Sequence, residues 1–408
     1  MKITEINGGI VAPTGFKAAG VHCGLRKNRS RLDLAMIYSD VRCVAAGVFT
    51  TNKVFAAPVG VDREHLSDGY AQAIIINSGN ANTCSEDGYE KAGATIAKAS
   101  EVLGIPENDI LVSSTGVIGV PLPIKPILEG IPMLKEKLSS DASGSEEAAV
   151  AIMTTDTKKK EYAVKYQFGG KDIKIGGICK GSGMIEPNMA TMLAYITTDA
   201  SISPELLRKA LKYCADLTFN MVSVDGDTST NDSLIIMASG LSGAAAITEE
   251  NEAYEAFLEA LLSVCMKLAK YIAADGEGAT KLIECRITGA KTERDAKILA
   301  KSVIRSPLVK CAMFGADANW GRVICALGYS GADFDVNAVS CSFKSTAGEI
   351  EVCKNGVGCG FDEEIAKNIL IRNIITIDCN VGDGAYEATA WGCDLSYEYV
   401  RINGDYRS

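Results

Sequence analysis

The sequence predicts a mixed α/β protein built from layered sheets and helices. Three observations predict it. Short β-branched apolar runs alternate with longer stretches of helical period. The composition is that of a globular chain, 47% hydrophobic and 23% charged, and 408 residues suffice for a large core spread over two or three domains. No internal repeat and no low-complexity linker interrupts the pattern.

The elements follow in order. AIIIN at 73–77 reads as a buried strand that ends in the turn-rich SGNAN. Residues 86–103 predict a helix with Ala92, Ile96 and Ala99 on one face. The apolar ILV at 110–112 leads into SSTGVIG at 113–119, a strand-to-loop turn. Pro204 suits a first helical turn and Ser203 its N-cap, which places a helix over 204–217. The clearest helix covers 252–272, where Phe257, Leu261, Leu262, Cys265 and Leu268 recur at helical spacing. YIAADGEGATKLIECRITG then breaks at its glycines and resumes as a strand. Beyond about 286 another α/β unit is expected, with strands near 323–328, 349–353 and 374–378 and a helix near 362–372. A strand-like CDLSYEYV would pin the tail RINGDYRS, so that Asn403 and the terminus reach a pocket.

Charge and cysteine usage exclude several classes. A net charge of -10 argues against non-specific nucleic-acid binding, which needs a concentrated basic surface. Lys158, Lys159 and Lys160 read as a solvated turn. The opening MKITEINGGI lacks the apolar core of a signal peptide, and no stretch approaches 18 apolar residues, so a cytoplasmic protein without membrane partners is expected. Fourteen cysteines are scattered from Cys23 to Cys393 without a C-x-x-C pair, and the only histidines are His22 and His65. No zinc site of the Cys/His kind is legible, and the thiols read as small buried hydrophobes. A Ser-His-Asp or Cys-His enzyme would have to use one of two histidines that sit in no recognisable motif.

The chemistry-bearing stretch is KGSGMIEPNMATML at 180–193. Thr191 opens an apolar run, and a Thr at the start of a strand is ordinary. Its hydroxyl becomes a nucleophile only beside a base. With histidine scarce, one candidate base is the threonine's own α-amine, released if the Ala190–Thr191 bond is cut by attack of the hydroxyl on the preceding carbonyl. The small Ala190 and the upstream glycines give the backbone room for that shape. In SSTGVIG, the Thr115 hydroxyl and the Gly116 N–H are candidates for an oxyanion hole, against a purely structural turn. Lys180 and Glu277 stand in glycine-rich loops, where a surface charge is the default. GEGATK lacks the spacing of a phosphate-binding loop and GVGCG at 356–360 that of a dinucleotide fingerprint, so these glycines predict no nucleotide site.

Taken together, the chain resembles the ornithine acetyltransferase family, also called the ArgJ or glutamate N-acetyltransferase family. The resemblance covers essentially the whole chain. It is carried by VAPTGFKAAG (11–20), GVFTTNKVFAAPV (47–59), NSGNAN (77–82), SSTGVIG (113–119), AIMTTDT (151–157), KGSGMIEPNMATML (180–193), SVDGDTSTND (223–232), DGEGATK (275–281), ADANWGR (316–322) and WGCDLSYEYVRINGDYRS (391–408). Two departures stand out: Ser408 where the family often ends in Thr, and NTCSEDG at 82–88 in place of an Asn-Ala-Cys-Thr-Gly pattern.

The resemblance implies a DmpA/ArgJ-like N-terminal-nucleophile fold that cuts itself before Thr191. The products would be an α chain, 1–190, and a β chain, 191–408, held together as a heterotetramer of two of each. Within the β chain, 191–285 would complete the catalytic domain and 286–408 form a C-terminal α/β domain. It implies Thr191 as nucleophile, Thr115 and Gly116 as oxyanion hole, and Thr154, Lys180, Thr191, Glu277, Asn403 and Ser408 as substrate contacts. The implied reaction moves acetyl from N2-acetylornithine to L-glutamate, releasing ornithine. It needs no cofactor and leaves open whether acetyl-CoA also serves as donor. Two rivals stay open: an aminopeptidase or amidase of related fold with water as acceptor, and an uncleaved amino-acid-binding or scaffold protein.

Overall fold

The computed structural model describes residues 2–186 and 192–404. Ala190, Thr191 and Ser408 lie outside the described residues. The chain divides into two units. The first comprises Met1–Gly181, Pro187–Asn220 and Thr228–Leu268, the second Ser182–Glu186, Met221–Asp227 and Ala269–Ser408.

In the first unit a nine-stranded sheet runs in the order Thr4–Ile6, Lys160–Phe168, Lys171–Lys180, Leu193–Thr198, Ser233–Ala238, Leu34–Phe49, Tyr70–Asn80 and Ile110–Val117, with Phe16–Val21 paired to Leu34–Phe49 off that path. Leu193–Thr198 and Ser233–Ala238 are parallel neighbours buried at every position, as strands covered on both faces are. Two cores lie on alternate sides of the same strands. Ala35, Ile37, Ile74 and Ile76 join one, with Ala148, Ala149 and Ala151 of the helix Ala142–Ala151. Leu34, Met36, Ala73 and Ile75 join the other. There they meet Ala92, Ile96 and Ala99 of the helix Gly88–Leu103 and Ile127, Ile131 and Leu134 of the helix Ile124–Lys137. The period-two alternation makes this a helix–sheet–helix layering. The expected helices are present: Gly88–Leu103 stops at the left-handed Gly104, and Pro204–Leu217 starts where the Ser203 hydroxyl accepts the Leu206 N–H.

The second unit has a seven-stranded sheet in the order Val357–Gly358, Gly348–Lys354, Ser340–Ser345, Ile374–Asn380, Leu282–Ala290, Tyr386–Cys393 and Val222–Ser223. The helix Glu293–Arg305 buries Ala296, Leu299, Ala300 and Val303. Two sequence expectations change here. Residues 323–328 are helical, within Trp320–Gly328. Val323, Ala326 and Leu327 are buried at helical rather than alternating spacing, and Asn319, outside the apolar run, caps the first turn by accepting the Arg322 N–H. The strand Tyr386–Cys393 ends where Asp394 begins to bind backbone elsewhere, and residues Tyr397–Gly404 form a helix whose Glu398 N–H is accepted by the Ser396 hydroxyl. The tail is thus approached through a helix.

All fourteen cysteines are free thiols, most of them buried. Among the described residues no helix is long and apolar enough to cross a membrane, and no cluster of three or more His, Cys, Asp or Glu is placed to hold a metal ion.

One buried cation joins two helix ends in the second unit. Lys281 Nζ donates to the Met313 carbonyl at 2.5 Å and the Leu370 carbonyl at 2.9 Å, at the C-termini of Pro307–Phe314 and Glu363–Leu370. Unpaired carbonyls and the negative helix end favour a cation there, although burial lowers the lysine's pKa. Lys281→Ala strands both acceptors, and the expected loss of stability is about 3 kcal/mol, read by urea denaturation of the full chain.

Candidate active site

SSTGVIG is the end of the strand Ile110–Val117. Its parallel neighbour Tyr70–Asn80 places Ser78 opposite Thr115 and Gly79 opposite Gly116. Both glycines have positive φ, +106° and +137°. A Cβ on Gly116 would lie 2.3 Å from the Gly79 carbonyl carbon and 2.5 Å from the Asn80 nitrogen, so only glycine permits this approach. Register then slips at Asn80, and Thr115 and Gly116 emerge half-buried from a strand whose Ser113 and Ser114 are buried.

The asparagines of NSGNAN hold this geometry. The Ser114 hydroxyl donates to Asn77 Oδ1 at 2.6 Å, and Asn77 Nδ2 donates to the Asn80 carbonyl at 2.9 Å. Asn231, from SVDGDTSTND, donates through Nδ2 to the Ala81 carbonyl and to the Ser114 carbonyl at 2.9 Å, and its Oδ1 accepts from the Thr83 hydroxyl at 3.0 Å. A hydroxyl and a glycine N–H at a fixed strand end are groups that can stabilise a developing oxyanion.

Thr154 and Lys180 belong to the same unit and share one carboxylate neighbour. Asp156 accepts the Thr154 N–H at 3.0 Å, the Gly181 N–H at 3.0 Å and the Lys160 ammonium at 2.6 Å. Burial works to raise its pKa, but the charges of Lys180 and Lys160 and these hydrogen bonds hold it below the usual carboxylate value. Lys180 is 6% exposed and Lys160 2% exposed. The expectation of a solvated turn at 158–160 therefore fails for Lys160. Lys160 begins the strand Lys160–Phe168, and its alternation turns the side chain inward to Asp156. The importance of Asp156 and Asn231 was not read from the sequence. Both lie inside the quoted motifs, but their roles depend on partners elsewhere in the chain.

Glu277 and Asn403 belong to the second unit. Asn403 Nδ2 donates to Glu277 Oε2 at 2.6 Å, and Glu277, 5% exposed, donates its own N–H to the Ser182 carbonyl at 3.1 Å. Gly183 lies directly against the carboxylate: an added Cβ would fall 2.3 Å from Oε2. The left-handed residues of this loop are Ser182 at φ +99° and Met184 at φ +56°, not its glycines. Gly183 is required by the closeness of Glu277, and the unusual φ values sit on side-chain-bearing residues. They are held by Asp225, which accepts the Met184 N–H at 2.6 Å and the Ile185 N–H at 2.8 Å, while burial raises its pKa. Next in sequence, Glu186 accepts from Arg305 Nε at 2.8 Å and from the Ser223 hydroxyl at 3.0 Å. Asp394 fixes the other side of the DGEGATK loop by accepting the Thr280 and Lys281 N–H groups at 2.8 and 2.9 Å.

These features define a layered α/β protein with a polar, glycine-shaped segment in each unit. The model of the ArgJ family matches residues 17–408. The arginine biosynthesis bifunctional protein ArgJ of Caldanaerobacter subterraneus is 52% identical over 404 residues, 99% of each chain. ArgJ 1 of Clostridium acetobutylicum is 52% identical over 396 residues, 96% of each chain. The crystal structure of ArgJ from Bacillus halodurans superposes with a TM-score of 0.50 at 46% identity, covering 52% of this chain and 99% of its own. The chain belongs to the ArgJ family, a family of acyltransferase enzymes.

Removing the shared carboxylate tests the first-unit cluster. Asp156→Ala removes a buried carboxylate that pairs with Lys160 at 2.6 Å and should cost about 3 kcal/mol in chemical denaturation. Because the folded-state pKa of Asp156 lies below its unfolded value, its contribution is fully present above the ordinary carboxylate pKa of about 4 and fades as pH falls through the folded value. The wild-type and Asp156→Ala stabilities should therefore converge in acid.

Proposed function

We propose that this protein is a glutamate N-acetyltransferase of arginine biosynthesis, transferring acetyl from N2-acetylornithine to L-glutamate. The observation that carries the reading is identity of 52% over 99% of the length of a relative named for arginine biosynthesis. In the reaction, Thr191 Oγ attacks the acetyl carbonyl and its freed α-amine takes the proton. Thr115 and Gly116 stabilise the oxyanion, a contribution of about 3 kcal/mol per donor in comparable sites. Ornithine departs, the acetyl group rests on Thr191 as an ester, and the α-amine of glutamate then collects it. Thr154, Lys180, Glu277, Asn403 and Ser408 are the substrate contacts in this scheme, with Lys180 as partner of the α-carboxylate.

The scheme requires prior self-cleavage at Ala190–Thr191, giving chains 1–190 and 191–408 that assemble as a heterotetramer in the cytoplasm. The Bacillus halodurans structure supports a division of this kind, since 99% of that chain is spanned by 52% of this one. Residues 191–408 number 218 of 408, or 53%. The anchoring of residues 184–186 by Asp225, Ser223 and Arg305 also fits, because it fixes the backbone shortly before the bond to be cut.

Thr191→Ala should yield one uncut chain on a denaturing gel and no acetyl transfer, whereas Thr191→Ser should keep part of both activities. Two chains in the alanine variant, seen by mass spectrometry, would contradict self-cleavage. Incubation with N2-acetylornithine should give acetylglutamate when glutamate is present. Acetate released at an equal rate without glutamate would identify a hydrolase instead.

A further inference from the structure

Three buried polar atoms of the first unit converge where no described group satisfies them. Asp62 is fully buried in the helix Ala57–His65. Its Oδ1 accepts the Val112 N–H at 2.8 Å, and its Oδ2 has no partner among the described residues. Ser113, the next residue of the strand Ile110–Val117, is 3% exposed, and its hydroxyl is also unpartnered. Tyr195 is fully buried in the strand Leu193–Thr198, and its phenol oxygen is the third such atom. Buried polar atoms are nearly always satisfied, so three orphans in one place need an explanation.

The three belong together. Ser113 stands near enough to act on the Tyr195 phenol, and the charge of Asp62 is felt there as well. Burial is the largest influence and raises the phenol's pKa; Ser113 lowers it and Asp62 raises it. Burial likewise holds the Asp62 carboxyl well above the ordinary carboxylate value, against the pull of the Val112 N–H. The surroundings are hydrocarbon. Tyr195 shares one core with Leu66, which follows the helix of Asp62, and with Leu111, two residues before Ser113 on the same strand face. A second tie brings the same strands near. Ser233 is the register partner of Leu193, and Asn231, two residues earlier, donates to the Ser114 carbonyl at 2.9 Å.

Polar atoms that face one another inside an apolar shell without completing a hydrogen bond are the partners of a buried water, which makes about three such bonds. The set suits a metal ion poorly, because it offers one carboxylate, and that one is pushed toward its neutral form. We infer that Asp62, Ser113 and Tyr195 enclose one water molecule, and that this water fastens the strand leading from Thr191 to the strand carrying Thr115 and Gly116. The inference rests on the function proposed above, which makes Thr191 the nucleophile and Thr115 with Gly116 the oxyanion hole. Leu193–Thr198 begins two residues after Thr191 in the sequence. Ser113 precedes Thr115 by two residues, so both stand on one face of their strand. Acyl transfer needs the attacking oxygen and the oxyanion donors in fixed relation, and a small displacement of one from the other is costly. Tyr195 and Ser113 are thereby positioning residues, and they touch no substrate.

The test joins a crystal structure of the full-length enzyme to kinetics on the cut protein. Electron density should show a water about 2.8 Å from Asp62 Oδ2, Ser113 Oγ and Tyr195 Oη. Tyr195→Phe keeps the ring and removes only the phenol oxygen, and Ser113→Ala removes the hydroxyl. Each should lower kcat for acetyl transfer by about tenfold and leave KM for N2-acetylornithine within about twofold. The double variant should lose no more than either single one, because both lose the same water. Asp62→Asn, which keeps an acceptor for the Val112 N–H and a polar atom for the water, should restore most of the kcat that Asp62→Ala loses. A role in stability alone would shift the urea midpoint of Tyr195→Phe and leave kcat of the folded enzyme unchanged, and that result overturns the inference. So does density without a water between the three groups. Should Tyr195→Phe not fold, Ser113→Ala carries the same comparison. A wild-type enzyme that forms no acetylglutamate would instead remove the function on which the inference rests, while the density would still report on the water.

Discussion

A loop that carries chemistry has no strand or helical turn beside it to accept its N–H groups, yet buried N–H groups must find acceptors. In this protein short carboxylates supply them. Asp33 holds the backbone at Cys23 and Arg26, Asp156 at Thr154 and Gly181, Asp225 at Met184 and Ile185, and Asp394 at Thr280 and Lys281. Each aspartate thereby makes an irregular segment as determinate as a strand. Thr154, Lys180, Glu277 and Arg26 stand on or beside the segments so held.

The same logic explains the glycines. Gly116 is needed because two backbones meet with no room for a Cβ, Gly79 because its backbone is left-handed at φ +106°, and Gly183 because a carboxylate lies against it. Non-glycine residues meanwhile take left-handed backbone at Ser182 and Met184, where Asp225 receives the Met184 and Ile185 N–H groups. At Gly116 and Gly183 glycine marks close approach.

Much of the fold was legible because it depends on local period. The buried apolar run of 73–77, the helical face of Ala92, Ile96 and Ala99, and the Ser203 cap all appear where the sequence places them. The misread segments depend on residues outside the window. VICALG is apolar enough for a strand, but the cap at Asn319 and the burial spacing make it a helix. Lys160 looks solvated until the strand it opens turns it toward Asp156. The candidate site was legible as motifs and not as a network, because its pairings join distant residues: Asn231 reaches Ala81 and Ser114, and Arg31 reaches Thr154. No sequence period encodes such contacts.

The lysine at the end of DGEGATK has a mechanical consequence. Because one ammonium donates to carbonyls in the last turns of both Pro307–Phe314 and Glu363–Leu370, a single side chain stands where two helix C-termini would otherwise need separate caps. Its own backbone is tied to Asp394 just before the strand Leu282–Ala290, so both helix ends are referred to one point of the sheet.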